Sequence, residues 1–260
     1  MTYLIFQANP WLLPIVMLVV LALAIEVPYR WGRSWVAGAA KHVDAFNAVQ
    51  AGLLTLASFV LGLSFAQASA RFDIRRDLVV KEANAIGTTW LRADQLGART
   101  ATFRRILTEY TQERLTAYST PSAPALYART IRESDDDQAQ MWEIASSALR
   151  AHPTDLGLSL LMQTLNDTID VSAEQLQALT IHVPTAVVVL TLVLVALGSL
   201  SLGLRFAFDG SRPGMLSAIY VVACVVVISM MIDYDRPQTG FVTVNLNPIR
   251  IQLEAMKKAP

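Results

Sequence analysis

The 260-residue sequence predicts an all-α polytopic membrane protein, with four transmembrane helices in two hairpins and a helical soluble region inserted between them. Three observations predict it. Four apolar windows, Trp11–Val27, Phe46–Gln67, Val183–Leu204 and Met215–Ile232, together carry one charged residue, Glu26. Each window is long enough for a helix to cross a hydrocarbon core of ~30 Å, which takes about 20 residues, with 17 to 25 the useful range. The remaining sequence holds the other charges, and its apolar residues recur at helical spacing with no convincing alternation of period two.

The composition agrees. The chain is 53% hydrophobic and 16% charged, where an ordinary globular protein carries roughly 25% charged residues. Basic and acidic residues balance at 21 each, so no basic excess supports nucleic-acid binding. Residues 1–10 contain no Lys or Arg to form the positive start of a signal peptide, and none is expected. Cys224, the single cysteine, sits in an apolar window and can form no intrachain disulfide.

In chain order, residues 1–67 form the first hairpin. Span one is bracketed by Trp11 and by Tyr29, Trp31 and Trp35, the aromatic belt of a membrane helix. Glu26 closes it just before Pro28 and is read as snorkelling to the headgroups. Span two is the least apolar, interrupted by Asn47, Gln50, Thr55, Ser58 and Ser64, but no charge occurs between Asp44 and Arg71. Asn47, Ala51, Thr55, Ser58, Gly62, Ala66 and Ser69 fall at steps of three and four, hence on one helical face. Two readings stand for this stripe. It lines a water-filled path, with Asn47, Thr55, Ser58 and Gly62 facing water and Phe59 and Phe65 facing elsewhere as apolar constrictions or plain core. Alternatively its small residues let two helices approach closely.

Residues 68–182 are the insert, with 12 Lys or Arg against 15 Asp or Glu. Val79, Ala83, Ile86 and Trp90, then Phe103, Leu107 and Tyr110, then Leu158, Leu161, Leu165, Ile169, Leu176 and Leu179 mark helical core faces. Turn signals cluster at Ser119–Pro124, at the Asp135–Asp137 run and at His152–Pro153. The first and last helices are predicted to continue directly from spans two and three. Residues 183–232 form the second hairpin, and 233–260 a C-terminal tail.

Charges crowd one membrane edge. Arg71, Arg75 and Arg76 follow span two, and Asp233, Asp235 and Arg236 follow span four. An unpaired ion at that depth is costly, so these residues are read as a charge clamp, with an ion-selecting vestibule as the alternative.

No catalytic constellation occurs. His42, His152 and His182 lie far apart, and there is no phosphate loop or nucleophile elbow. The Asp135–Asp137 run is read as a solvated loop. The protein is therefore expected not to be an enzyme and to use no cofactor or metal.

The stretch Phe65–Leu91, FAQASARFDIRRDLVVKEANAIGTTWL, resembles the bacterial and plant bestrophin-like domain family, whose hallmark is Glu82–Thr88, with Glu82, Asn84 and Gly87 as its polar and glycine positions. Leu165–Asp170 before span three, Asp233-x-Asp235-Arg236-Pro237 after span four, and Gly240 and Pro248 in the tail match as well, so the resemblance covers about residues 45–250. It implies the plan of bestrophins, which are pentameric chloride channels with two helical hairpins around a helical cytosolic region and a pore lined by the second span. Only Asp233 and Asp235 are available after span four, so the bestrophin calcium clasp is not placed here.

By that resemblance the chain is a homo-oligomeric, anion-conducting channel in the bilayer of a bacterial inner membrane. The alternative is a membrane-anchored sensor or scaffold whose insert binds a partner. Basic residues near the boundaries are tied: Arg71, Arg75, Arg76, Lys81 and Arg236 on one side, Arg30, Arg33, Lys41, Arg205 and Arg212 on the other. The bestrophin plan and the crowding of Arg71, Arg75 and Arg76 make the insert and both termini cytoplasmic.

Overall fold

Membrane spans are set by length and apolarity, and the insert by helical periodicity; the computed structural model of the protein realises both as α-helices. It describes residues 11–35, 43–119, 124–236 and 240–259. Lys41, His42, Pro237 and the turn expected between Ser119 and Pro124 fall outside those residues. Among the described residues all regular structure is helical: α1 (Leu12–Trp35), α2 (Val43–Arg92), α3 (Thr100–Ser119), α4 (Pro124–Ala151), α5 (Leu156–Thr180), α6 (Thr185–Asp209), α7 (Met215–Tyr234) and α8 (Asn247–Lys258). Four stretches, in α1, α2, α6 and α7, are long and apolar enough to cross a membrane.

Helix α2 is one uninterrupted run of 50 residues, roughly 75 Å at 1.5 Å per residue. A hydrocarbon core of ~30 Å takes less than half of it. It therefore runs from span two into the insert without a break, as expected. A 3₁₀ segment at Ala93–Arg99 ends the run, with Gly97 at φ 57° turning the chain into α3. A side chain there would crowd the following carbonyl, which is why glycine holds the turn.

Span three differs from the expectation. Residues 181–184 are non-helical between α5 and α6, because Pro184 offers no N–H to continue the ladder and biases His182–Val183 towards extended backbone. The Asp135–Asp137 run also departs from its reading as a loop, since it lies inside α4. Flanking residues of good helix propensity and a buried apolar stripe override the local preference of aspartate for turns. At His152–Pro153 the turn is present, and Asp155 caps α5 by accepting the Leu158 N–H at 3.1 Å.

The chain divides into two compact units. Of the described residues, the first comprises 11–35, 43–71, 182–236 and 240–242. Its core joins Met17, Leu21 and Ile25 of α1, Leu61 and Ala68 of α2, Val188 and Val195 of α6, and Val225, Ile228 and Met231 of α7. The α1 and α6 backbones approach closely, so that a Cβ on Gly203 would lie 2.2 Å from the Ile25 carbonyl oxygen. Small residues let membrane helices touch in this way.

Of the described residues, the second unit comprises 72–119, 124–181 and 243–259. Ile86, Phe103, Leu107, Tyr110, Met141, Leu158, Leu161 and Leu165 form its main core, all at most 3% exposed. Val79, Ala83, Tyr118 and Ile249 form a smaller one. Most of the helical core faces read from the sequence are buried here, and Ile249, Leu253 and Met256 add the inner face of α8.

Candidate permeation face and its anchoring network

Within the first unit, α2 has two faces. Gln50, Ala57, Leu61, Ser64 and Ala68 are buried, and the Ser64 hydroxyl bonds the Thr191 hydroxyl of α6 at 2.9 Å. The predicted stripe lies on the other side: Ala51, Thr55, Ser58, Gly62 and Ala66 are exposed, as is Phe59, while Asn47, Phe65 and Ser69 are half-buried. A Cβ added at Gly62 would meet nothing within 4 Å. Small-residue packing inside this chain is thus built at Gly203 and Gly32 rather than at Gly62. Thr55 folds its hydroxyl back onto the Ala51 carbonyl at 2.8 Å, whereas Asn47 Oδ1 is buried without a partner. Phe65 packs against Tyr234 of α7 with ring centroids 5.7 Å apart.

The membrane edge of this unit is held through backbone groups. Arg71 donates to the His182 carbonyl at 2.7 Å. Asp235, 1% exposed, accepts the Val183 N–H at 3.1 Å and has the His182 Nδ1 at 3.3 Å. These bonds stabilise the non-helical turn that opens α6, where N–H groups lack helical partners. Asp233 accepts the Phe241 and Val242 N–H groups, each at 2.8 Å. A Cβ at Gly240 would lie 2.3 Å from Asp233 Oδ1, so the tail glycine is required by space. Arg236 is buried.

In the second unit, Arg75 is 2% exposed and donates to the Ala178 and Ile181 carbonyls at 3.0 and 2.8 Å. A cation there satisfies the last carbonyls of α5 and favours the negative end of its dipole. Arg76 stays at the surface, 3.6 Å from both Asp73 and Asp77 of its own helix.

The hallmark segment has an inward and an outward part. Glu82 is fully buried and forms an ion pair with Arg114 of α3 at 2.6 Å. Its second oxygen accepts the Tyr118 hydroxyl at 2.9 Å, and Tyr118 and Arg114 both reach Gln175 of α5. The Tyr110 hydroxyl stands 3.5 Å from Glu82 and receives Gln138 of α4 at 3.4 Å. Burial, reinforced by Glu82, holds the Tyr110 and Tyr118 hydroxyls well above the ordinary tyrosine range, so both stay neutral donors. Burial works against the Arg114 charge, but Glu82 more than restores it and raises its pKa. The network ties α2 to α3, α4 and α5 as a structural anchor. Outward lies Asn84, exposed beside a cleft that Gly87, Thr88 and Gln252 also line. Gly87 admits the Gln252 amide of α8, whose Nε2 would be 2.6 Å from a Cβ.

Sequence reasoning singled out Glu82 but missed Arg114, Tyr118 and Gln175. A signal was present: Tyr110, Arg114 and Tyr118 recur every four residues, a polar stripe on the face that Phe103 and Leu107 mark as core.

No protein-family model matches the chain, and no curated protein matches it. Solved structures do. A bacterial bestrophin homologue from Klebsiella pneumoniae aligns over 97% of this chain and 100% of its own, with TM-score 0.68 and 17% identity. A single-substitution form of that homologue aligns over the same shares with TM-score 0.67 and 17% identity. Another aligns over 96% of this chain and 94% of its own, with TM-score 0.66 and 14% identity. At such identity the likeness is one of fold.

Proposed function

We propose that this chain, an integral membrane protein with the bestrophin fold, is one subunit of a homo-oligomeric ion channel whose pore is lined by the outward face of α2. The observation that carries the reading is that face. Thr55, Ser58 and Gly62 point away from the chain in a membrane-spanning helix whose opposite side is packed. The Thr55 hydroxyl is satisfied by its own helix, but an exposed Ser58 hydroxyl facing lipid gains no hydrogen bond from its surroundings, whereas facing water it does. One chain presents one such face, too little to enclose a path, so rotational symmetry must supply the rest of the wall. Phe59, exposed on that face, supplies an apolar constriction of that path, while Phe65 packs on Tyr234.

The finer reading follows the bestrophin plan: a pentamer conducting anions such as chloride, in a bacterial inner membrane, with the insert and termini cytoplasmic. Arg71 and Asp235 hold the turn that opens α6 at the membrane edge and Asp233 holds the tail, while in the insert Arg75, Glu82 and Gly87 brace α2.

The test is conduction by purified protein in planar bilayers, in a Cys224→Ser background. Thiols introduced at positions 55, 58 and 62 should react with water-soluble reagents and change the conductance, while thiols at Ala57 and Leu61 should be inert. Conduction with all three outward positions inert places the pore elsewhere. No current at any voltage or salt removes the channel and leaves the scaffold reading. A reversal potential in a potassium chloride gradient gives the sign of the carried ion, and reporter fusions at Ser122 and the C-terminus give the orientation.

A further inference from the structure

A carboxylate sits in a helix seam of the insert that should be apolar. The inward stripe of α4 runs Thr130, Ser134, Asp137, Met141 and Ala145 at helical spacing, and every member is buried. Asp137 is 9% exposed, and its Oδ2 is sealed from solvent without a hydrogen-bond partner. Ser134 Oγ, one turn earlier, is likewise unpartnered. From α3, which packs against α4, Glu113 Oε2 is sealed in the same way.

An ionised carboxylate with one oxygen sealed away from any donor is expensive to bury. It can be relieved by a cationic side chain, a metal or a proton. Arg105 of α3 is the cation that acts on Asp137, but it spends two hydrogen bonds on Glu109. Among the described residues no three His, Cys, Asp or Glu side chains are grouped as a metal ion requires. A proton remains, and neighbouring carboxylates hold one readily because both cannot ionise cheaply.

We propose that Glu113 and Asp137 form a proton-binding site in the α3–α4 seam, closed when protonated and loosened when both carboxylates are ionised.

The surroundings add to the strain of ionisation. Burial first, then the charges of Asp137, Glu133, Glu109 and Asp136, push Glu113 up to about 7. Burial first, then Glu109, Asp136 and Glu133 against the opposing Arg105, push Asp137 up to about 6. Several other charged groups on the packed elements have their own partners, and Arg132 of α4 is exposed. Arg114 is paired with Glu82, Arg129 with Glu133, Arg104 with Asp94, and Lys257 of α8 donates to Gln112. Arg99 of the 3₁₀ segment donates to Ser147, and Asp170 of α5 accepts from Asn166. Because the folded pKa values lie above the unfolded 3.8 and 4.5, the seam's stability is full below the unfolded values, falls as pH rises from there to about 6 and 7, and is flat above.

The full-length protein in detergent is titrated from about pH 4 to about pH 8, a range that spans the shifted values and nearly all of the interval down to the ordinary carboxyl ones. Difference infrared spectroscopy follows the carbonyl stretch of protonated carboxyls, and the melting temperature is taken at each pH. The wild type should lose the protonated-carboxyl band and melt at lower temperature as pH rises. In Asp137→Asn the band should shrink, the pH-dependent fall in melting temperature should drop to roughly half or less, and melting at the alkaline end should rise. Glu113→Gln repeats the test should the first variant fail to fold. Unchanged bands and an unchanged pH slope in the folded variants overturn the proposal. So does calcium chloride raising the wild-type melting temperature at the alkaline end but not that of Asp137→Asn, which makes the seam a cation site.

Discussion

Replacing Glu82 by alanine tests the anchor of α2 most directly. The carboxylate is fully buried, with Arg114 Nε at 2.6 Å and the Tyr118 hydroxyl at 2.9 Å. Arg114 is itself 1% exposed, so the substitution strands a guanidinium that water cannot reach. Breaking a buried pair by removing one partner costs about 3–5 kcal/mol, much of it the penalty of the charge left behind. For a chain of this size each kcal/mol shifts melting by roughly 2–4 °C, so a loss of roughly 6–20 °C is expected. The double variant Glu82→Ala/Arg114→Met removes both charges and keeps an apolar stem in the core. It should melt above Glu82→Ala, because no buried charge is left unpaired. The assay is a double-mutant cycle on melting temperature in detergent, with Arg150→Ala as a surface control that breaks the exposed pair with Glu143. The control should cost less than about 1 kcal/mol. Strictly additive losses, or a Glu82→Ala cost as small as the control, would refute the reasoning.

The two kinds of glycine in the spans should separate. Gly203→Ala forces a methyl to 2.2 Å from the Ile25 carbonyl and should destabilise by about 1–3 kcal/mol in thermal melts. Gly62→Ala meets open space, so its melting should barely change while bilayer conductance falls. Asp155→Ala removes the cap on the Leu158 N–H and should cost about 1 kcal/mol, read as faster hydrogen exchange in the first turn of α5. Asp235→Ala leaves the buried Val183 N–H without its acceptor and should cost about 1–3 kcal/mol, whereas Asp235→Asn, which keeps an acceptor oxygen, should recover part of it.

What the sequence determined by itself is what depends on one helix at a time. The membrane-spanning windows follow from an apolar length that any bilayer demands, and all four are helices here. The core faces of the insert follow from the helical period, and Ile86, Phe103, Leu107, Leu161 and Leu165 are buried as that period requires. The outward stripe of α2 was legible for the same reason, since residues three and four apart must share a face. Tertiary structure decided which helices meet. Glu82 finds Arg114 at 32 positions' separation, and Gly203 lies under Ile25 on a helix from the other hairpin; neither partner can be read from spacing along one helix. The acidic run Asp135–Asp137, which composition alone makes a turn, is helical because burying Met141 and Ala145 on the same stripe outweighs the local cost. Periodicity is a property of a single helix, whereas pairing depends on how several helices share one core, and that sharing is absent from any local pattern.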